Sequence, residues 1–356
     1  MAIRKFQYLL KLFFSRLHDA ISLRIGIMGT SVILLSLLSA CGAKAGSSTR
    51  AEMAFLAESE SAAAGDVMTE APLVDFNADS AYRYVERQVQ FGPRVPNSQA
   101  HRLAGEWLVN ELKRHGFKVT EQTPSLKAFD GTVLNARNIF AQINPEVKDR
   151  ILFLAHWDCR PWADQDPDPS RRSEPVDGAN DGASGVGVLL EMARQLALNP
   201  IEKGVDILFV DAEDWGTDGD EDSWALGAQY FANNPPVDGY SPRMAVLLDM
   251  VGGKEAIFCR EYFSELSAPQ LAEEIWQTAA SLGYGSMFPN RMGSAILDDH
   301  VQLIKAGIPA IDIVEYHPED DSGFNPRWHT TSDNMDGISK ATLDAVGTTL
   351  LNWLYK

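Results

Sequence analysis

The segment Asp206–Gly216, with the sequence "DILFVDAEDWG", begins as a continuous apolar run and ends in two adjacent acids, Glu213 and Asp214. An apolar run of this length, bounded by turn-forming residues, is typical of a strand buried in a parallel or mixed sheet. Ligand sites in such sheets lie at the carboxyl ends of the strands. The segment therefore predicts a buried strand with a site at its carboxyl end.

Strand and helix patterns alternate along most of the remaining chain. The segment "NSQAHRLAGEWLVNELKRHG" (97–116) has a polar start, apolar residues at helical spacing, basic residues in its last turn and Gly116 at its end, as helices do. The alternation predicts an α/β fold: a single globular domain with a central mixed, largely parallel, twisted sheet flanked by helices. Further strands are expected at 118–123, 138–143, 150–158, 243–253 and 309–314, and further helices at 182–199, 223–234, 268–283, 298–307 and 338–354.

Composition sets limits on the class of protein. The 356 residues are 45% hydrophobic, which is ample for the core of a soluble α/β domain. Lysine and arginine total 31 against 49 acids, giving a net charge of −18. This balance excludes a nucleic-acid-binding surface as the main feature and argues against binding to an anionic membrane surface.

The first forty residues have the pattern of an export signal. Basic residues precede the short apolar stretch Ile25–Leu38, and "LLSAC" (37–41) resembles a bacterial lipobox in which Cys41 is lipidated. We therefore expect a lipoprotein-type signal peptide at 1–40, a flexible Ala/Ser/Glu/Gly-rich tether at 41–75 and a catalytic domain at 76–356. The alternatives are an uncleaved anchor or a buried hydrophobic helix.

Removal of residues 1–40 would delete five basic groups and one acid and leave a charge of −22. The expected protein is exported, anchored in the membrane through its lipid alone, and periplasm-facing. Cys159 and Cys259 could pair in such an oxidising compartment, but two separate buried thiols are at least as consistent with the sequence.

Acids and histidines recur at the predicted strand ends and in two loops. Besides Glu213 and Asp214, His156 closes one strand and Asp249 another, while Asp181 lies in "GANDGASG" and His329 in "WHTTSDN". Nitrogen and oxygen donors gathered in a cleft are what Zn²⁺ requires. Each residue has an ordinary alternative, since Asp181 could cap a helix and His329 could be a hydrogen-bonded loop histidine. An uncompensated cluster of acids would repel itself, however, and a cation is the usual remedy.

In this order the motifs resemble the ligand pattern of the co-catalytic zinc aminopeptidases. Within that superfamily, "HWDCRPWADQD" (156–166), the Trp328-His329 pair and "LDDHVQLIKAGIPAIDI" (297–313) resemble the bacterial type of zinc-dependent glutaminyl-peptide cyclotransferase, or glutaminyl cyclase. The resemblance covers the chain from about Phe76 to its end. It implies conversion of N-terminal glutamine to pyroglutamate with release of ammonia.

The resemblance also implies roles for individual residues. One catalytic Zn²⁺ would be bound by Asp181, Asp214 and His329, although animal enzymes of this kind have Glu at the position of Asp214. Glu213 would be the proton-transfer residue, with Asp249 and Asp298 as a supporting carboxylate network. Three aromatic residues, Trp328, Phe324 and Trp224, would form the substrate-binding walls, with Trp215 an alternative to Trp224. His156 and Asp249 would ligate a second metal if two were bound.

Two rival functions remain open from the sequence. An exported zinc aminopeptidase would use Glu213 to activate water between two metals, and a non-catalytic peptide-binding lipoprotein would use the same fold without chemistry. The expected partners are peptides or proteins with N-terminal glutamine, the chain is expected to be a monomer, and no nucleic acid is expected. Four acids in or just before the loop after Tyr316 (Glu315, Glu319, Asp320, Asp321) would favour substrates with positive charge nearby.

Overall fold

The computed structural model describes residues 73–319 and 323–356. The expected signal peptide, Cys41 and nearly all of the expected tether lie outside the described residues. In the described part of the chain, no helix has the length and apolar character needed to cross a membrane.

The centre of the domain is a six-stranded mixed sheet in the order β1-β4-β6-β5-β7-β8. The four strands β6, β5, β7 and β8 are parallel, whereas β1 and β4 join one edge in antiparallel fashion. A separate antiparallel hairpin is formed by β2 and β3. The strands are β1 (Lys118–Gln122), β2 (Ser125–Lys127), β3 (Val133–Asn135), β4 (Asn138–Ile143), β5 (Arg150–His156), β6 (Gly204–Val210), β7 (Met244–Asp249) and β8 (Ala310–Val314).

Helices cover both faces of this sheet. Because side chains alternate along a strand, Phe153 packs into the larger core on one face while its neighbour Leu154 packs into the core on the other. The larger core receives α1, α2, α3, α6 and α8, and the smaller receives α4 and α7. The helices are α1 (Ala78–Val89), α2 (Gln99–Arg114), α3 (Ala183–Leu198), α4 (Leu226–Asn233), α5 (Tyr262–Ser267), α6 (Pro269–Ser281), α7 (Asp299–Lys305) and α8 (Lys340–Tyr355).

The predicted fold class is confirmed: the sheet is mixed, mostly parallel and flanked by helices. The expected helix at 97–116 begins at its Ser98 cap, whose side chain accepts a hydrogen bond from the His101 amide. Three elements were not anticipated, namely α1, the β2–β3 hairpin and α5. Cys159 and Cys259 are separate buried thiols.

Candidate metal centre and substrate cleft

The parallel strands bring the predicted residues to one edge of the sheet. His156 is the last residue of β5 and Asp249 the last of β7, and the turn after β6 carries Glu213 and Asp214. Asp181 precedes α3, on a turn whose next residue has φ 99° at Gly182. A Cβ at Gly182 would lie 2.3 Å from the Asp158 carbonyl oxygen, so only glycine fits there.

Two sets of donor atoms result, and within each set the atoms lie within 4.8 Å of one another. The first set is Asp181, Asp214 and His329, with His329 Nε2 3.1 Å from Asp214 Oδ1 and 3.7 Å from Asp181 Oδ2. The second is His156, Asp181 and Asp249, with His156 Nε2 3.1 Å from one oxygen of each acid. Asp181 belongs to both sets and lies between them.

The chemistry of the first set fits Zn²⁺. Asp214 is 1% exposed, and its Oδ2 has no hydrogen-bond partner among the described residues. Burial lowers the pKa of His329, but the carboxylates of Asp214, Asp164 and Asp181 outweigh burial and raise it to about 9. The acids therefore favour a positive charge at this point. Two carboxylates and one imidazole are ligands that zinc accepts, and a bound ion would satisfy the unpaired oxygen.

Glu213 lies beside these ligands and faces the cleft. The turn that presents it begins at Ala212, which has φ 54°, and Asp158 accepts hydrogen bonds from the amides of both Glu213 (3.2 Å) and Asp214 (3.3 Å). The Glu213 side chain is 12% exposed and lies 4.0 Å from His156 Nδ1. Burial raises the pKa of Glu213 well above its usual value, while His156 acts in the opposite direction. Such a carboxyl group is suited to accept and return a proton.

Three of the described non-glycine residues with a left-handed backbone lie at or beside the same site residues. Ala212, Met250 and His329 are non-glycine residues with φ between 48° and 54°, and each is at or next to a predicted site residue. Left-handed conformations at such residues persist only where surrounding contacts enforce them. These contacts therefore aim Glu213, Asp249 and His329 into one cleft.

The cleft has a volume of about 350 Å³ and includes Trp224, Phe324 and Trp328 in its walls. Phe324 and Trp328 are stacked with ring centroids 4.7 Å apart, and Trp224 lies parallel to His329 at 6.2 Å. Trp215, the alternative to Trp224, instead packs against Trp162 away from the cleft.

Asp298 reaches the cleft from the start of α7, where its side chain accepts a hydrogen bond from the Asp299 amide. Burial, followed by the charge of Asp249, raises the pKa of Asp298 to about 7. Behind it, the carboxyls of Asp299 and Asp312 are fully buried without a hydrogen-bond partner among the described residues, and burial raises their pKa well above the usual value. These acids would share protons, as neighbouring buried carboxyls do.

One of the four acids assigned to the loop after Tyr316, Glu315, does not face the cleft opening. Glu315 is fully buried, and its carboxylate accepts hydrogen bonds from Asn180 (3.2 Å) and Asn325 (2.8 Å), so it braces the loop. Glu319 pairs with Arg291 at 2.8 Å, and 320–321 lie outside the described residues. The expected charge selection by Glu315 is therefore wrong, because its carboxylate is used inside the protein.

Three residues that support the site were not singled out from the sequence. Asp333 accepts hydrogen bonds from the Asn180 and Asp181 amides, and Arg160 and Asp164 contact two of the candidate ligands. Arg160 and Asp164 lie within the "HWDCRPWADQD" motif. Their spacing indicated a family resemblance but not a contact with His329, which is distant in sequence.

The fold and the two donor sets define a zinc-exopeptidase type of enzyme, with its site at the carboxyl edge of a mixed sheet. The sequence model of the family described as "Peptidase family M28" matches residues 138–354. The chain belongs to this family.

Solved structures of similar chains agree with this assignment. A glutaminyl cyclase from Porphyromonas gingivalis is 52% identical, with a TM-score of 0.78, over 80% of this chain and 99% of that one. A Bacteroides thetaiotaomicron glutaminyl cyclase bound to N-acetylhistamine is 49% identical, with a TM-score of 0.78, over 79% and 98%. A Zn-dependent exopeptidase from Parabacteroides distasonis is 51% identical, with a TM-score of 0.78, over 79% and 99%.

The chain spans about two-fifths to three-fifths of the length of the curated relatives it matches. It is 28% identical to the aminopeptidase YwaD of Bacillus subtilis, over 72% of this chain and 52% of that protein. It is 25% identical to the glutaminyl-peptide cyclotransferase of Gloydius blomhoffii, over 58% of this chain and 61% of that protein.

Proposed function

We propose that this protein is a zinc-dependent glutaminyl-peptide cyclotransferase, which converts the N-terminal glutamine of peptides and proteins to pyroglutamate and releases ammonia. The cleft is the observation that carries the proposal. It is small, walled by four aromatic side chains (Trp224, Tyr316, Phe324 and Trp328), and lined by seven acids without a lysine or arginine among the described lining residues. This lining suits a cationic α-amine and a neutral side chain, and it offers no partner for a terminal carboxylate. The similarity to bacterial glutaminyl cyclases supports the same function.

Asp181, Asp214 and His329 are the residues that would hold the zinc ion, because they form a buried donor set in which one Asp214 oxygen has no hydrogen-bond partner in the described part of the chain. Bound zinc supplies a Lewis acid that polarises the γ-carbonyl group of the substrate glutamine. The chain's own residues carry out the remaining tasks.

Glu213 is the group that moves the proton. After the substrate α-ammonium has lost one proton to solvent, the neutral amine attacks the γ-carbon to form the C–N bond of a five-membered ring, and the Glu213 carboxylate takes the proton that the ring nitrogen loses. As the bond between the γ-carbon and the amide nitrogen breaks, Glu213 returns the proton and ammonia leaves. One residue thus acts as base and then as acid.

Asp249 and Asp298 line the cleft beside Glu213 and would accept hydrogen bonds from the substrate amine. Trp328, Phe324 and Trp224 would fold the glutamine side chain against the amine. Ring closure is intramolecular, so most of the rate gain comes from holding this compact pose.

The test is mass spectrometry of a peptide with N-terminal glutamine after incubation with the zinc-loaded protein. The expected product is the same peptide with one ammonia lost, and the matched peptide with N-terminal asparagine should remain unchanged. Release of free glutamine without a pyroglutamyl product would overturn the proposal.

A metallo-aminopeptidase is the second candidate, and one observation favours it. His156, Asp181 and Asp249 form a complete second donor set, as a two-metal site needs. Metal analysis separates the two functions, because the cyclase proposal expects one zinc ion per chain and the aminopeptidase expects two. A non-catalytic peptide-binding role would give neither product.

We also propose that the protein is an exported, monomeric lipoprotein held in the membrane through Cys41 and facing the periplasm. The lipobox-like "LLSAC" and the preceding short apolar stretch support this location. Membrane fractionation tests it: the wild-type chain should sediment with membranes, and the Cys41→Ala variant should not. Light scattering of the detergent-solubilised chain tests whether it is a monomer.

A further inference from the structure

Arg160, which is buried, and Asp164, which is partly exposed, form an ion pair beside the first donor set. The Arg160 guanidinium donates to both oxygens of Asp164, from Nε at 2.8 Å and from Nη2 at 2.6 Å. Arg160 is 3% exposed, and its guanidinium carbon lies 5.1 Å from the Trp162 ring and 4.9 Å from the Trp224 ring. This bidentate geometry requires the planar guanidinium of arginine, which lysine lacks.

The pair contacts two of the proposed zinc ligands at once. Asp164 Oδ1 lies 3.4 Å from His329 Nδ1, the ring nitrogen opposite the one that faces Asp181 and Asp214. Arg160 Nη1 donates to the Asp214 carbonyl oxygen at 3.0 Å and lies 3.3 Å from Asp214 Oδ1. A carboxylate on the remote nitrogen of a ligating histidine sets the orientation and basicity of the ring.

We propose that Arg160 and Asp164 are positioning residues that fix His329 and Asp214 in the geometry for zinc and thereby set the zinc affinity. Arg160 also balances the negative charge of Asp214 through the contact of Nη1 with Oδ1, and it packs against the Trp224 wall of the cleft. The inference rests on the zinc ligands proposed above and not on the reaction, so it stands or falls independently of any assay for pyroglutamate.

The test compares Asp164→Asn and Arg160→Lys with matched controls from the same loop. Arg171 and Glu174 form an exposed pair at 3.2 Å, so Arg171→Lys and Glu174→Gln repeat both chemical changes away from the site. Zinc affinity is measured by competition with a chelator. We expect Asp164→Asn to weaken zinc binding by about 10- to 100-fold and Arg160→Lys by about 10-fold. The controls should stay within about two-fold.

Two further readouts distinguish positioning from a structural role alone. With Co²⁺ in place of zinc, the visible absorption bands should shift in Asp164→Asn and not in Glu174→Gln. The rise in melting temperature on adding zinc should shrink in both site variants, whereas a structural role would lower the zinc-free and zinc-loaded melting temperatures equally.

The side chain of Asp164 is 36% exposed, so Asp164→Asn decides the question even if Arg160→Lys fails to fold. Unchanged zinc affinity and an unchanged Co²⁺ spectrum in Asp164→Asn would overturn the inference. A wild-type chain that binds no zinc would overturn the ligand assignment itself.

Discussion

The two ends of strand β6 both carry buried carboxylates, but these are satisfied in different ways. Near the amino end, Asp206 accepts hydrogen bonds from Arg150 Nε and from the Tyr240 hydroxyl, each at 2.8 Å. In the turn after the carboxyl end, Asp214 keeps one buried oxygen without a partner among the described residues. A carboxylate satisfied by protein groups supports the fold, and one left with an unpaired oxygen is available to a ligand.

Asp211 lies at the functional edge of the sheet, and yet its carboxylate is hydrogen-bonded by protein groups, as that of Asp206 is. It accepts hydrogen bonds from His101 Nε2 at 2.7 Å and from the Ala212 amide at 2.8 Å, on the side away from the cleft. Location at a strand end therefore does not make an acid functional. The better criterion is an unpaired oxygen on an acid that lines the cleft, as in Asp214, because Asp299 and Asp312 also have unpaired oxygens but do not line it.

The largest expected effect is that of Glu213→Gln. Removing the proton-transfer group should lower the rate of product formation by about 10²- to 10⁴-fold, as loss of general acid–base catalysis does. Zinc content and melting temperature should stay close to those of the wild type, because the amide keeps the shape of the side chain. Steady-state kinetics with parallel metal analysis checks this, with Glu174→Gln as the exposed control. A variant of near-normal rate would remove Glu213 from the mechanism.

Asp206→Asn should lower the stability of the fold and leave the rate of product formation unchanged. It leaves the guanidinium of Arg150, 8% exposed, without its charged partner, and breaking a buried pair in this way costs about 3–5 kcal/mol of unfolding free energy. Denaturant unfolding measures the loss. Turnover per folded, zinc-loaded molecule should be unchanged, and a large fall in turnover with normal stability would contradict the division between the two ends of β6.

Removal of zinc should destabilise the domain without unfolding it. An ion present at about 100 to 1,000 times its dissociation constant stabilises the folded state by about 3–4 kcal/mol. The core lies on both faces of the sheet away from the site, so circular dichroism after chelation should keep its helical signal. Equal unfolding free energies with and without zinc would argue that the unpaired oxygen of Asp214 binds no ion.

Acidification should destabilise the fold through His115, a buried group at the carboxyl end of α2. Burial, aided by Arg114 and Arg194, lowers the pKa of His115 from 6.5 to about 4, although Glu111 lies 3.9 Å away. Below pH 6.5, His115 binds a proton in the unfolded chain but not in the folded chain. The contribution of His115 to the unfolding free energy is therefore fully present above pH 6.5 and is lost as the pH falls toward 4.

This loss should reach about 1–2 kcal/mol, since His115 is only partly desolvated. Unfolding curves at pH 7 and pH 5 in saturating zinc measure it. The His115→Gln variant should lack this part of the pH dependence, and an identical pH dependence in both proteins would refute the assignment.

The smallest effect is expected from the exposed acids at the rim of the cleft, Asp218 and Glu221. Solvent screens such charges, so Asp218→Asn with Glu221→Gln should raise KM by only a few-fold. The rise should appear for a peptide with lysine after the glutamine and not for one with glutamate there. Glu202→Gln, at the opposite edge of the sheet, is the control. Equal changes for both peptides would exclude charge selection at this rim.

Much of the fold was predictable because its signals are local. The apolar runs of β5, β6 and β7 and the capped start of α2 each appear within a few residues of sequence. Helix α1 escaped prediction because its inward face consists of small groups such as Ala81 and Val85, and its packing depends on a close approach to Gly187 of α3. The three-residue strands β2 and β3 are too short to show a period.

The sequence by itself determined the fold class, the family and the types of donor at the strand ends, since residue type and order are enough for these. Only the tertiary structure decided that Asp181 belongs to two donor sets, that Asp211 is satisfied by His101 while Asp214 keeps an oxygen without a partner among the described residues, and that Asp164 contacts His329. The physical reason is that ligand geometry and hydrogen-bond satisfaction depend on groups far apart in the chain. No local pattern records those distances.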